Sequence, residues 1–154
     1  MMREILFRGK AINRNEGCHR TEYQNGEWVY GLVTRLYDEQ FKNLPAEMTN
    51  TNGISGIEID YKTVGQYTGM TDKNGTKIFE GDILAFDDTD GGKGFYEAFW
   101  DGNSGKFAIA ENGNRNYVDD FELFERNEWF KWFTVIGNIY DNPELVGGEE
   151  NERY

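Results

Sequence analysis

The chain is poor in the residues that most catalytic and metal centres require. It has one cysteine, Cys18, and one histidine, His19, among 154 residues. These counts exclude an internal disulfide framework, a multi-cysteine zinc site and a three-histidine zinc site, and nothing points to an oxidising compartment. Adjacent side chains of an extended segment point in opposite directions, so we do not expect a thiolate–imidazole pair. The expectation is a protein that is not an enzyme, with no catalytic residues, metal or cofactor.

Long apolar runs are also missing. No stretch approaches the roughly 20 apolar residues that span a bilayer, and the Met1–Glu4 start lacks an apolar signal region. We therefore expect a cytoplasmic protein without a membrane segment. Proline occurs only twice, whereas glycine occurs 19 times and aromatic residues make up 16% of the chain. This composition favours short strands joined by glycine turns over helices or disorder, so the predicted class is mainly β.

Positive charge is scarce in the second part of the chain. The net charge is −12, and residues 1–50 balance seven Lys or Arg against seven Asp or Glu, so the excess lies entirely in residues 51–154. Such a surface repels phosphate backbones, which argues against direct nucleic-acid binding, and it would suit a basic protein partner. The simpler interpretation is that the acidity keeps the protein soluble.

Glycine-rich turns carry the strongest structural signal. Asp72–Gly75 contains Asn-Gly, which suits a tight hairpin because both residues tolerate positive φ. Glu80-Gly81-Asp82 indicates a barrel corner before the apolar run 83–86, and Gly137 indicates a bulge in the last strand. Strands are predicted over 3–10, 28–34, 54–60, 63–67, 76–79, 83–87, 95–100, 106–110, 116–118 and 130–140.

Helical signals are few and short. Leu44–Met48 is predicted as a helical turn with Pro45 near its start, and residues 49–53 as a loop. Asp119 or Asp120 is predicted to cap another turn through Phe124, and Asn142 to cap a terminal one with Pro143 at its first position.

Several motifs imitate ligand sites. Gly65–Gly69 lacks the Gly-Lys-Ser/Thr of a phosphate loop. The oxygen-rich segments 87–92 and 101–105 lack the glycine and the acidic residue that a calcium loop needs at its sixth and twelfth positions. Glu80 and Asp82 could act as acid and base, but the simpler prediction is that they accept hydrogen bonds that hold the turn.

Aromatic residues are the remaining candidates for function. Strand alternation assigns about half of them to the core, and the others would form an exposed patch that contacts a partner. The candidate interaction surface consists of Trp28, Tyr30, Tyr67, Tyr96, Trp100 and Trp132.

Seven segments together resemble the YopX family of phage and prophage proteins. The resemblance implies a phage or prophage origin in Gram-positive bacteria and an SH3-like barrel in the C-terminal part, and it supplies no catalytic or binding residues. The segments are Arg3–Lys10, Trp28–Gly31, Thr63–Gly69, Asp72–Gly75, Ile78–Ile83, Val135–Tyr140 and Asn142–Leu145.

The predicted architecture is mainly β, a small SH3-like barrel with an N-terminal β extension. We assign residues 1–60 to the extension with a variable loop, 61–146 to the barrel and 147–154 to a disordered acidic tail. The strand that carries Trp28 and Tyr30 could also pair between chains, which would give a homo-oligomer.

Three functions fit these features. The first is an uncharacterised phage accessory protein that acts as a non-enzymatic protein-interaction module, with a protein partner in the host or the phage. The second is an acidic mimic of nucleic-acid charge that occupies a basic DNA-binding protein. The third is a ribonuclease-like enzyme on an SH3-like barrel, for which Lys73, Lys77 and Arg115 are the local cations.

Overall fold

The computed structural model divides the chain into two compact units, Met1–Tyr67 and Thr68–Tyr154. The division falls after Tyr67, inside the strand Gly65–Thr71, whereas the sequence predicted a boundary at residue 60. The mainly β class is confirmed. The described residues are 2–13, 23–36, 45–87, 91, 93–116, 118–120 and 129–147.

The first unit is one antiparallel sheet. Its strands run in the order β4-β3-β2-β1-β5, and a 3₁₀ turn, Tyr61–Thr63, precedes β5. The strands are β1 (Phe7–Lys10), β2 (Trp28–Arg35), β3 (Ala46–Asn50), β4 (Ile57–Ile59) and β5 (Gly65–Thr71).

This sheet curls until β4 meets the segment that follows β1. Ala11 forms a bridge with Ile59. The N–H of Ile12 donates to the carbonyl of Glu58 at 2.9 Å, and the N–H of Asp60 donates to Lys10 at 2.8 Å. Barrel-like curvature, predicted for residues 61–146, therefore occurs in the first unit.

Alternating residues of the curled strands form the core of the first unit. On β2, Val29 and Gly31 are buried whereas Tyr30 and Leu32 are exposed, as a period of two requires. Burial of each aliphatic side chain contributes about 1.5 to 3 kcal/mol relative to exposure. The core residues are Ala11, Val29, Ala46, Met48, Ile57 and Ile59.

The turn between β3 and β4 is organised by a buried carboxamide. Asn50 Oδ1 accepts the N–H groups of Asn52 at 3.0 Å and Ile54 at 2.9 Å, and its Nδ2 donates to the hydroxyl of Tyr23 at 3.0 Å. Gly53 closes the turn with a φ of 83°. Thr49 and Asn50, predicted as loop, thus belong to β3.

In the second unit, the end of β5 pairs with β6 and a five-stranded antiparallel sheet follows in the order β10-β9-β8-β7-β11. In the described part of the chain this sheet is open, with β10 and β11 at its edges. The strands are β6 (Lys77–Phe79), β7 (Asp82–Asp87), β8 (Lys93–Asp101), β9 (Lys106–Glu111), β10 (Val118–Asp120) and β11 (Phe133–Asn138).

One face of this sheet carries an apolar cluster, and β11 contains the predicted irregularity. The cluster consists of Ile78, Leu84, Ala98, Ile109 and Phe133. The register of β11 against β7 shifts between Val135 and Gly137, so the bulge at Gly137 is confirmed. Short 3₁₀ turns lie at Trp129–Trp132 and Pro143–Leu145.

The turn between β5 and β6 has the same construction as the Asn50 turn, with a carboxylate in place of the carboxamide. Asp72 Oδ1 accepts the N–H groups of Asn74 at 2.8 Å and Thr76 at 2.9 Å. Gly75 has a φ of 81°, but Asn74 does not adopt positive φ, so the turn is not the primed type that Asn-Gly suggested. Inside the loop, the carboxylate therefore accepts backbone N–H groups, as a strand carbonyl would in a sheet.

The second oxygen of Asp72 protects an edge of the sheet. Asp72 Oδ2 accepts the N–H of Val135 at 2.9 Å, and the N–H of Lys73 donates to the carbonyl of Phe133 at 3.1 Å. These are β11 groups that another strand could otherwise use. The hairpin turn thereby closes this part of the edge of β11.

One predicted helical turn is a strand instead. Leu44–Met48 was expected to be helical, but Ala46–Asn50 is β3, because Ala46 and Met48 alternate inward to the core of the first unit. Asp119 and Asp120, predicted to precede another turn, are the last two residues of β10. The predicted turn through Phe124 and most of the acidic tail lie outside the described residues.

Asn142 precedes the last 3₁₀ turn as predicted, with Pro143 at its start, but its side chain makes no capping hydrogen bond there. Among the described residues, no helix has the length and apolar character that crossing a membrane requires.

Candidate interaction surface

An aromatic face lies on the outer side of the sheet of the first unit. Register places Lys10 opposite Trp28 and Arg8 opposite Tyr30, with all four side chains on the face that points away from the core. Tyr30 is 40% exposed and Leu32, two residues along β2, is 52% exposed. We call Trp28, Tyr30 and Leu32 the Trp28 face.

Two cations hold the indole of this face. The guanidinium carbon of Arg8 lies 4.5 Å from the ring centroid of Trp28, and the Nζ of Lys10 lies 5.3 Å from it. Cation–π contacts contribute about 0.5 to 2 kcal/mol, with the larger values at desolvated sites, and Arg8 is only 5% exposed. Trp28 is therefore a fixed, half-buried platform beside the exposed Tyr30 and Leu32.

The Trp28 face offers a surface rather than a strand edge. In the sheet order, β1 lies between β2 and β5, and β2 lies between β1 and β3. Each of the two strands therefore has a neighbouring strand on both sides over part of its length, which favours contact through side chains. Pairing of these strands between chains stays a prediction.

Trp100 supplies an exposed aromatic in the second unit. It is 47% exposed on β8, and its ring meets Phe107 of β9 edge to face at a centroid distance of 5.0 Å. Its cross-strand partner Phe107 is buried, whereas Trp100 remains partly exposed to solvent. Trp132 is half-buried and is the last residue of the 3₁₀ turn that precedes β11.

Two of the six predicted surface aromatics serve packing instead. Tyr67 is 7% exposed, so it is buried and does not belong to an exposed surface. The ring of Tyr96 packs edge to face on Phe133 at 5.6 Å and on Phe86 at 6.4 Å, against the main cluster of the second unit. Alternation could not separate them from exposed aromatics, because it does not show what covers each face.

The environment of Tyr96 also changes its acidity. Burial raises the pKa of the phenol above its usual 10.0, and the carboxylates of Glu111 and Asp119 raise it further because they disfavour a phenolate. Because the pKa of this phenol is higher in the folded than in the unfolded state, its contribution to stability is fully present below the unfolded pKa. The contribution is lost as the pH rises through the folded pKa.

We expect the free energy of unfolding to fall as the pH rises above the ordinary tyrosine range, and to fall less steeply in Tyr96→Phe. Urea unfolding at a series of alkaline pH values measures both slopes. Equal slopes in the two proteins would contradict a role for this phenol.

The predicted polar motifs are engaged in turns. Asp82 is buried, and its Oδ2 accepts the N–H of Phe79 at 2.8 Å, which confirms its predicted role at the corner. Asp101 accepts from the N–H of Asn103 at 3.0 Å and from the hydroxyl of Ser104 at 2.6 Å. The Ser104 bond and then the Asn103 bond hold the pKa of the Asp101 carboxyl below its usual value.

No group of three or more His, Cys, Asp or Glu able to hold a metal ion occurs in the part of the chain that the structure describes. Cys18, His19, Asp88 and Asp90 lie outside it. Gly65 and Gly69 both belong to β5, so no helix N-terminus follows them at which a phosphate could bind.

Sequence reasoning missed one charged contact in the second unit. Glu97 is buried on β8 and accepts a hydrogen bond from Arg115, whose guanidinium carbon lies 4.7 Å from the ring centroid of Phe99. Arg115, considered above as a cation for phosphate chemistry, is engaged with this carboxylate. Lys73, the second such cation, is exposed on the hairpin turn. No local pattern could pair Glu97 with Arg115, because 18 residues separate them.

Together the fold and the aromatic face define an all-β protein of two compact units. The chain belongs to the YopX protein family, which matches residues 7–147. The family resemblance inferred from seven sequence segments is therefore confirmed.

Comparison with solved structures finds the crystal structure of protein EF1440 from Enterococcus faecalis. The two chains are 25% identical, and the match covers 94% of this chain and 99% of that one with a TM-score of 0.49. Comparison with curated proteins finds no significant match.

Proposed function

We propose that the protein is a phage or prophage accessory protein that acts in the host cytoplasm as a non-enzymatic protein-interaction module, and that the Trp28 face is its working surface. The observation that supports this proposal is the exposure of Tyr30 and Leu32 beside an indole held by two cations. Isolated exposed apolar residues are common on soluble proteins, but neighbours on one strand form a contiguous patch.

The chemistry of the Trp28 face suits protein recognition. Tryptophan, tyrosine and arginine are the residues most enriched among those that dominate binding energies at interfaces. Because Arg8 and Lys10 hold the ring of Trp28, little side-chain freedom is lost when a partner covers it. Tyr30 and Leu32 then supply apolar area that binding removes from water.

The double variant Tyr30→Ala/Leu32→Ala tests this proposal. We expect it to lose the host or phage proteins that the wild-type protein retains on an affinity resin, because both side chains are exposed and their truncation leaves the fold intact. Trp100→Ala is the matched control, since it removes an exposed aromatic from the second unit and should retain the same proteins. Mass spectrometry of the eluates and circular dichroism of each variant measure binding and folding.

Equal retention by the double variant and the wild-type protein would place the working surface elsewhere. Retention of nothing above the level of the empty resin would contradict a protein-interaction role altogether.

The acidic second part of the chain favours one other function, a mimic of nucleic-acid charge. Residues 51–154 carry nine Lys or Arg against 21 Asp or Glu. A basic DNA-binding protein captured through these charges should dissociate as salt is added, because exposed charges are screened over about 8 Å at physiological ionic strength. Capture through the apolar Trp28 face should persist, so a salt series distinguishes the two functions.

A further inference from the structure

Asparagine precedes glycine at four turns of the chain. This pair is chemically special because glycine has no side chain to shield its amide nitrogen from the preceding carboxamide. The four pairs are Asn25-Gly26, Asn52-Gly53, Asn74-Gly75 and Asn112-Gly113.

The structure leaves two of these pairs open and restrains the other two. A Cβ at Gly53 or Gly75 would meet nothing within 4 Å, and the same holds at Gly26, where the restraint lies on the asparagine side chain instead. By contrast, the carboxamide Oδ1 of Asn25 accepts the N–H of Asn13 at 3.2 Å, which holds the group that would have to react. A Cβ at Gly113 would lie 3.5 Å from atoms of Glu97 and Val146, so this glycine has neighbours in contact range that the other three lack.

We infer that Asn52 and Asn74 are the sites at which this chain deamidates spontaneously. The amide nitrogen of the following glycine gives up its proton and attacks the side-chain Cγ of the asparagine. A bond forms between this nitrogen and Cγ, the Cγ–Nδ2 bond breaks, and the side-chain Nδ2 leaves as ammonia with the proton that the backbone amide gave up. Water then opens the cyclic imide at either carbonyl, giving aspartate or isoaspartate, and no oxidant or reductant takes part.

The native turn controls the rate of this reaction. The attacking N–H of Gly75 donates to the carbonyl of Asp72 at 3.0 Å, and that of Gly53 donates to Asn50 at 2.9 Å. Each nitrogen must leave its hydrogen bond before it attacks, so the opened turn is the reactive form. The side chain that holds each turn closed therefore sets how fast its asparagine is modified.

The structural consequence of deamidation differs between the two turns. Isoaspartate adds a methylene to the backbone, so a modified Asn74 lengthens the loop across which Asp72 Oδ1 accepts two N–H groups. The other oxygen of the same carboxylate holds Val135 of β11. Modification at Asn74 thus loosens the edge of β11, whereas modification at Asn52 loosens a turn within the first unit.

Ageing of the full-length protein in warm, mildly alkaline buffer, followed by peptide mapping with mass spectrometry, tests the inference. We expect Asn52 and Asn74 to convert several-fold faster than Asn25 and Asn112. Asn103, which precedes Ser104 rather than glycine, is the control and should convert slowest. In Asp72→Asn the rate at Asn74 should rise while the rate at Asn52 is unchanged.

Conversion at Asn25 or Asn112 that equals or exceeds conversion at the two open sites would overturn the inference. So would an absence of conversion at every site, or a rate at Asn74 that Asp72→Asn leaves unchanged. Hydrogen exchange of β11 before and after ageing then measures the consequence, with Asn74→Gln as the variant that retains the turn and cannot form the five-membered imide.

Discussion

Replacing Asp72 by asparagine should lower the free energy of unfolding of the second unit by about 2 to 3 kcal/mol, the range for a buried hydrogen bond to a charged group. The carboxylate accepts on both oxygens, from Asn74 and Thr76 within the turn and from Val135 on β11. A carboxamide has a single acceptor oxygen, so whichever way it turns, its NH₂ group faces a backbone N–H.

The matched control is the reverse substitution, Asn50→Asp, at the turn of the same construction between β3 and β4. Its Nδ2 contacts the hydroxyl of Tyr23, a group that can rotate and donate to a carboxylate instead of accepting from an amide. The turn keeps its acceptor oxygen for Asn52 and Ile54. We therefore expect a loss within about 1 kcal/mol, the net value of a typical hydrogen bond.

Urea unfolding of both variants, with hydrogen exchange of β11 amides, measures the difference. The N–H of Val135 should lose protection in Asp72→Asn and keep it in Asn50→Asp. Equal losses of stability in the two variants would contradict this explanation. They would show that Val135 does not require a carboxylate at position 72 any more than Tyr23 requires a carboxamide at position 50.

Gly31→Ala should be still more damaging and should prevent the first unit from folding stably. A Cβ at this position would lie 1.9 Å from the carbonyl oxygen of Thr49 and 2.8 Å from the Cα of Asn50. Both atoms belong to the backbone of β3, so relief requires β2 and β3 to separate. Overpacking of a core costs about 1 to 3 kcal/mol and more where the backbone must move, and we expect a loss at or above the upper value.

Two glycine variants provide a graded control. A Cβ at Gly9 would lie 2.7 Å from Cδ1 of Ile59, the flexible end of a side chain that can rotate away, so Gly9→Ala should lose less stability. Gly102 has open space around it, and Gly102→Ala should change stability by less than about 0.5 kcal/mol. Soluble yield and urea midpoints should rank Gly102→Ala above Gly9→Ala and Gly31→Ala lowest, and any other order would contradict a steric cause.

Much of the strand content could be predicted from local pattern. The register of β2 on β1 places Trp28 and Tyr30 on one face, as the period of two indicates. The bulge at Gly137 follows from a glycine within an apolar run. Such features depend on neighbours in sequence, which is why alternation and turn residues find them.

The strand β3 could not be predicted in the same way. The local sequence is compatible with a helical turn over Pro45–Met48. No turn residues mark where a strand would begin or end. Its alternation has meaning only because Ala46 and Met48 meet the core that β2 and β4 form around them. Long-range burial here outweighs local propensity.

The exposure of the candidate aromatic residues could be predicted only in part. Of the residues that aromatic content and alternation selected, Tyr30 and Trp100 are exposed and Trp28 is half-buried. The same pattern also selected Tyr67 and Tyr96. A strand can be covered on both faces, and alternation does not show which faces other segments cover.

From the sequence alone come the mainly β class, the YopX membership, the acidic balance and the glycine turns, since each depends on composition or on neighbouring residues. Tertiary structure alone decides that the curled sheet belongs to the first unit, that Asp72 closes the edge of β11 and that Trp28 is held by Arg8 and Lys10. The physical reason is that these features are contacts between distant segments. Whether a side chain packs, bonds or stays exposed depends on what the rest of the chain places beside it.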